Sequence, residues 1–148
     1  MIKSEYRDLR IKQLDSSLSA FIQAKTQPRP QRGWLRAIRE ACGLPLDSIA
    51  RELKTNRQGV QKRENAEATD RITLRTLRRV ADAMGCELVY AIVPKSGTIQ
   101  DLAERRLRDE ATKRVRAVEH TMALENQATG NLEEKIKDEV KRIKAGRK

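Results

Sequence analysis

Thr121 and Glu125 stand four residues apart in the stretch "TMALEN", residues 121–126. On a helix that spacing places a hydroxyl and a carboxylate on one face. Val118 and Met122 run beside them. A face that mixes apolar docking residues with one hydroxyl and one carboxylate suits a protein partner offering a cationic pocket. Other reactive residue types are scarce. There is one histidine, His120, and the two cysteines are Cys42 and Cys86. That is a poor inventory for acid–base or nucleophilic catalysis, so no catalytic residue is assigned and an enzyme is not expected. Two cysteines are too few for a disulfide framework or a zinc site, so no metal or other cofactor is expected either. Both are read as reduced, partly buried packing residues.

What the chain has in abundance is positive charge. Lys and Arg number 32 against 21 Asp and Glu, a net +11. A surplus of that size points to a polyanion, either nucleic acid or an anionic membrane surface. No run of about 18 apolar residues is present, so no spanning segment is expected. The N-terminus lacks an apolar signal core, and the expected location is cytoplasmic.

The elements that position these residues read mostly as helices. Residues 4–25 carry Leu14, Leu18, Phe21 and Ile22 on one face. "TQPRPQRG" then breaks the helix, because Pro28 and Pro30 lack amide donors and disfavour helix before them. A series of short helices follows. The first runs from Trp34 to about Cys42 and stops at Gly43. The second covers Leu46 to Leu53. The third starts after Asn56, a good N-cap, and ends near Asn65. The fourth opens at Thr73, closes before Gly85, and carries Leu74, Leu77, Val80, Ala81 and Met84 as a stripe. "CELVYAIVP", residues 86–94, is β-branched and aromatic, which predicts a strand. One strand alone exposes its amides and carbonyls, so it is expected to pair with its copy across a two-fold axis, making the protein a homodimer. A long helix from Thr98 carries Ile99, Ala103, Leu107, Ala111, Val115, Val118 and Met122. "ATGN" interrupts it, and a last amphipathic helix runs from Leu132 to about Ala145. The expected organisation is therefore a helix over 1–27, a linker over 28–33, a helical domain over 34–85, a dimerisation strand over 86–94 and a helical arm over 98–148.

"LDSIARELKTNRQGVQKREN", residues 46–65, is the most informative stretch. Ala50 is small where two helices must approach closely, and Ile49, Leu53 and Val60 sit where apolar residues would lock the pair. This resembles a helix-turn-helix of the Cro/xenobiotic-response-element repressor family, over roughly residues 32–85. The resemblance implies a structural ion pair between Arg39 and Glu64. It also implies that the third helix enters the major groove of double-stranded operator DNA, led by Asn56, Arg57, Gln58, Gln61 and Lys62. Arg can bridge guanine O6 and N7, and Gln can bridge adenine N6 and N7, each worth ~1–3 kcal/mol of discrimination. Gly59 is read as letting the backbone approach DNA. Lys54 departs from the family at a turn position where glycine is common, and Arg63 stands where an apolar residue usually packs. Arg71, Arg75, Arg78 and Arg79 are candidate phosphate contacts. The alternative for all these polar residues is a solvated helix face.

Thr121, Glu125 and Asn126 also match the pattern Ser/Thr-x-x-x-Glu-Gly/Asn. That pattern resembles the inhibitory helix associated with Fic-domain AMP-transferases. There the glutamate pairs with an active-site arginine that would otherwise hold the γ-phosphate of ATP. A carboxylate so placed competes with phosphate for a bidentate guanidinium partner. The segment from "GCELVYAIVP" to "HTMALENQ" is similar to the family called mobile mystery protein A, associated with a Fic-domain partner, mobile mystery protein B. The resemblance implies an antitoxin that represses its own operon and inhibits a Fic AMP-transferase toxin. A plain prophage-type repressor and a charge-driven architectural nucleic-acid binder are the alternatives.

Overall fold

A computed structural model of the chain describes residues 2–124 and 130–146. Among these residues there are seven helices: α1 (Ile2–Ala24), α2 (Trp34–Ala41), α3 (Leu46–Glu52), α4 (Arg57–Ala68), α5 (Leu74–Ala83), α6 (Ile99–Leu124) and α7 (Leu132–Gly146). None is long and apolar enough to cross a membrane. The helices divide between two compact units.

One unit spans Lys25–Ala91 and holds α2 to α5. Its core is Leu35, Ile49, Ala50, Leu53, Val60 and Val80, with Leu44, Leu46, Ile72, Leu77, Ala83 and Met84 packed against it. Ile49, Val60 and Val80 are almost wholly removed from water, so each contributes on the order of 1.5–3 kcal/mol of burial. α2 begins at Gly33, which takes a left-handed φ of +84° and is buried. A Cβ there would lie 2.6 Å from Glu67 Oε2, so any other residue would have to push that carboxylate aside. α3 and α4 meet across a tight turn. Lys54 takes φ +52°, and the Thr55 amide donates to the Ala50 carbonyl at 2.9 Å, closing the end of α3. α4 continues past Asn65 to Ala68, further than its polar tail suggests, and Glu67 in that last turn is buried. It ends where Asp70 turns left-handed at φ +56°. Arg29 closes that end, pairing with Asp70 at 2.6 Å and reaching the Ala68 carbonyl at 3.4 Å. A guanidinium there meets the negative pole of the helix.

The other unit comprises Met1–Ala24 and Ile92–Lys148 and holds α1, α6 and α7. Leu107, Ala111 and Val115 of α6 pack against Ile136 and Ile143 of α7, with Val140 beside them. Arg108–Glu133 at 2.6 Å, Arg114–Glu139 at 3.4 Å and Lys135–Glu119 tie the rims. The start of α6 is doubly capped. Thr98 and Asp101 exchange bonds, with Thr98 N donating to Asp101 Oδ2 at 2.8 Å and Asp101 N to Thr98 Oγ1 at 3.1 Å. Asp15 of α1 then accepts from the Ile99 amide at 2.7 Å and the Gln100 amide at 3.2 Å. α1 is thereby docked onto α6 at the positive pole of that helix.

The strand expected over residues 86–94 is not present: among the described residues no strand occurs, every regular element is a helix, and residues 86–94 connect α5 to α6 without regular structure. The physical reason is pairing. A strand is defined by its ladder, and among the described residues no second strand pairs with this segment. Val89, Tyr90 and Ile92 are left 66%, 57% and 86% exposed. Cys42 is also exposed rather than partly buried, whereas Cys86 is half-buried.

Candidate nucleic-acid interface

The turn between α3 and α4 aims the start of α4 outward. Asn56 caps the helix, its side-chain oxygen accepting from the Gly59 amide at 2.8 Å. Its amide nitrogen remains available as a donor. Arg57 is exposed and lies 3.6 Å from Asp47 of α3. Both side chains are more than half exposed, so this pair orients Arg57 and adds little stability.

α4 has two unlike faces. Outward, Gln58, Gln61, Lys62 and Asn65 are all exposed and recur three, four and seven residues apart. That spacing makes one continuous polar stripe. Two amides, a cation and a third amide can donate to and accept from base edges, and none carries an apolar neighbour between them. Asn65 is the member the sequence reading left out. Its signal was the i+7 spacing from Gln58, obscured because the helix was expected to end there.

Inward, Val60, Glu64 and Glu67 are buried. The two carboxylates hold α2 against α4. Arg39 Nε donates to Glu64 Oε1 at 2.5 Å and Arg39 Nη2 to Glu64 Oε2 at 3.1 Å, a two-pronged contact. The hydrogen bond to Glu64 holds the Arg39 guanidinium above its ordinary pKa, outweighing partial burial. Glu67 takes a different role. It accepts from the Trp34 amide at 2.7 Å and the Leu35 amide at 2.9 Å, so it caps α2 from another helix. Among the described residues, no buried side-chain nitrogen or oxygen lacks a hydrogen-bond partner.

Gly59 is half-buried and lies against the turn between α3 and α4. A Cβ there would collide with Thr55 Oγ1 and would sit 3.3 Å from Asn56 Oδ1, so the missing side chain makes room for the turn itself. Arg63, where an apolar residue was expected, is half-buried and folds back to bond the Gly59 carbonyl at 2.9 Å. Lys54 occupies its turn position in the left-handed conformation that glycine would adopt without strain.

The second set of sequence-picked residues lies on α6. Thr121 is exposed near the end of the helix, and its hydroxyl is bonded to the Ala117 carbonyl at 3.1 Å. Val118 and Met122 beside it are 56% and 38% exposed, and His120 is exposed. Glu125 and Asn126 lie outside the described residues. No group of three or more His, Cys, Asp or Glu that could hold a metal ion occurs among the described residues.

Residues 35–90 match the family model described as helix-turn-helix. The match supports a DNA-binding, regulatory role for that segment, with double-stranded DNA as its ligand. No curated protein and no solved structure matches the chain.

Proposed function

We propose that this helix-turn-helix chain is the antitoxin of a Fic-type toxin–antitoxin module, binding operator DNA as a homodimeric autorepressor. The observation that carries the DNA half is the stripe Gln58, Gln61, Lys62 and Asn65, exposed together on α4 beside Arg57. In this reading α4 lies in the major groove with Asn56, Arg57, Gln58, Gln61 and Lys62 leading, and Arg39–Glu64 keeps α4 in register with α2. A homodimer on a palindromic operator places its two recognition helices about 34–36 Å apart.

The inhibitory half rests on the sequence pattern Thr121-x-x-x-Glu125-Asn126. Exposure of Thr121, Val118 and Met122 supports it, since a docking face must be uncovered. Glu125 takes the arginine that would bind the γ-phosphate of ATP, and Thr121 and Asn126 hold the helix end. AMP transfer by the Fic-domain partner is then blocked without loss of DNA binding.

The test measures AMP transfer by a co-encoded Fic-domain protein, with wild-type chain and with Glu125→Ala. Inhibition by the wild type only, with DNA binding kept in both, supports the reading. Equal inhibition assigns the block to bulk occlusion. Absence of any complex leaves a plain repressor.

A further inference from the structure

α5 presents an arginine stripe that base reading by α4 leaves unused. Arg75, Arg78 and Arg79 are spaced three and four residues apart and so share one side of the helix. The core side of α5 carries Leu77, Val80, Ala81 and Met84. All three arginines are exposed, as is Arg71 just ahead of the helix. Among the described residues, none of these four guanidinium groups makes a hydrogen bond or an ion pair. Elsewhere Arg29, Arg36, Arg39, Arg57, Arg108 and Arg114 each have a carboxylate partner. One carboxylate, Asp82, stands a turn further on the same side, exposed and outside ion-pair distance.

Such a stripe does not help α5 to fold. Like charges three and four residues apart repel by a few tenths of a kcal/mol per pair, and no inner neighbour offsets it. A polyanion does. Long stems let guanidinium groups one turn apart reach successive phosphates of one strand, and a guanidinium can engage a phosphate with two parallel bonds.

We propose that Arg75, Arg78 and Arg79 form a phosphate-backbone contact surface for duplex DNA, separate from the base-reading side of α4. This rests on the DNA-binding reading of residues 35–90. The stripe supplies affinity and salt dependence, and α4 supplies sequence preference. Contacts to phosphate carry no sequence information, and each one neutralised steepens the dependence of log K on log salt by about 0.9.

The experiment titrates the full chain against two labelled duplexes over a salt series. One duplex is selected by the wild type from a random library, and the other is its scrambled counterpart. The variants are Arg75→Gln/Arg78→Gln/Arg79→Gln, the same three positions changed to Lys, and Gln58→Ala/Gln61→Ala. The Gln triple is expected to lower the salt slope by roughly 2–3 and weaken both duplexes equally, leaving their affinity ratio unchanged. The Lys triple is expected to keep the slope, and the α4 double to lose the ratio at unchanged slope. A Gln triple with the wild-type slope, or a Lys triple that loses it, overturns the proposal. Failure of the wild type to bind either duplex removes the DNA reading itself. Thermal melts of each variant exclude unfolding, since all substituted side chains are exposed.

Discussion

Glu67 ties the last turn of α4 to the start of α2. Its carboxylate removes two amide donors of α2 from the list of unsatisfied groups, and it does so while buried. Glu67→Ala should therefore lower stability by about 2–3 kcal/mol in urea unfolding, as for loss of charge-assisted hydrogen bonds. Glu67→Gln, which keeps one acceptor, should lose roughly half as much. A change under about 0.5 kcal/mol for the alanine variant would sink this role. Lys54 gives a prediction of the opposite sign. A left-handed conformation strains a lysine and not a glycine, so Lys54→Gly should raise the unfolding free energy by about 0.5–1 kcal/mol, net of the added freedom of the unfolded chain, and move the urea midpoint up. A lowered midpoint would show that the turn is not under strain. The two residues differ in how far they could be read in advance. Lys54 was visible as a departure at a turn position. Glu67 was not, because its partners lie 32 and 33 residues back in the chain. A capping acceptor supplied by another helix leaves no local pattern. Gly59 was legible only as a gap in the helix face, and that Thr55 Oγ1 lies beside the gap is a property of the turn rather than of the pattern.

At the scale of elements, apolar periodicity located α2 to α5 well, since Val80, Ala81 and Met84 repeat with the helix. It failed over residues 86–94. Composition there favours extended backbone, but a strand is a property of two segments, and composition describes only one. The caps of α6 yield a pH prediction. The Thr98 amide, and then its hydroxyl, hold the Asp101 carboxyl below its ordinary value. A carboxyl whose folded pKa is depressed contributes fully above the unfolded value, near pH 4, and its contribution vanishes as pH falls through the lower folded value. The stability gap between wild type and Asp101→Asn should thus be widest at neutral pH and close below about pH 4. Denaturation midpoints measured from pH 6 to pH 2 with a constant gap would contradict this cap.

For the whole molecule, the described residues divide into two compact units. Residues 25–91 have their own core, their own caps and the whole α4 stripe. As an isolated fragment they should unfold cooperatively, at a low melting temperature expected for so small a core, and should keep the sequence preference of the full chain. Non-cooperative melting, or loss of preference with binding retained, would refute the autonomy of the unit. The helix-turn-helix pattern made this part legible because its contacts are short-range. The role of α1 was not legible, because nothing in residues 4–25 names Ile99 and Gln100 as the amides that Asp15 satisfies.

That one carboxylate also orders events in time. The bond from Ile99 to Asp15 spans 84 residues, and the loop it closes contains the entire helix-turn-helix unit. On a ribosome, α1 emerges first and must wait until α6 has been made before its own cap contact exists. The intervening unit, built from neighbours in sequence, is free to fold meanwhile. The contacts of the helix-turn-helix unit are therefore complete in sequence before the contact that docks α1 can form.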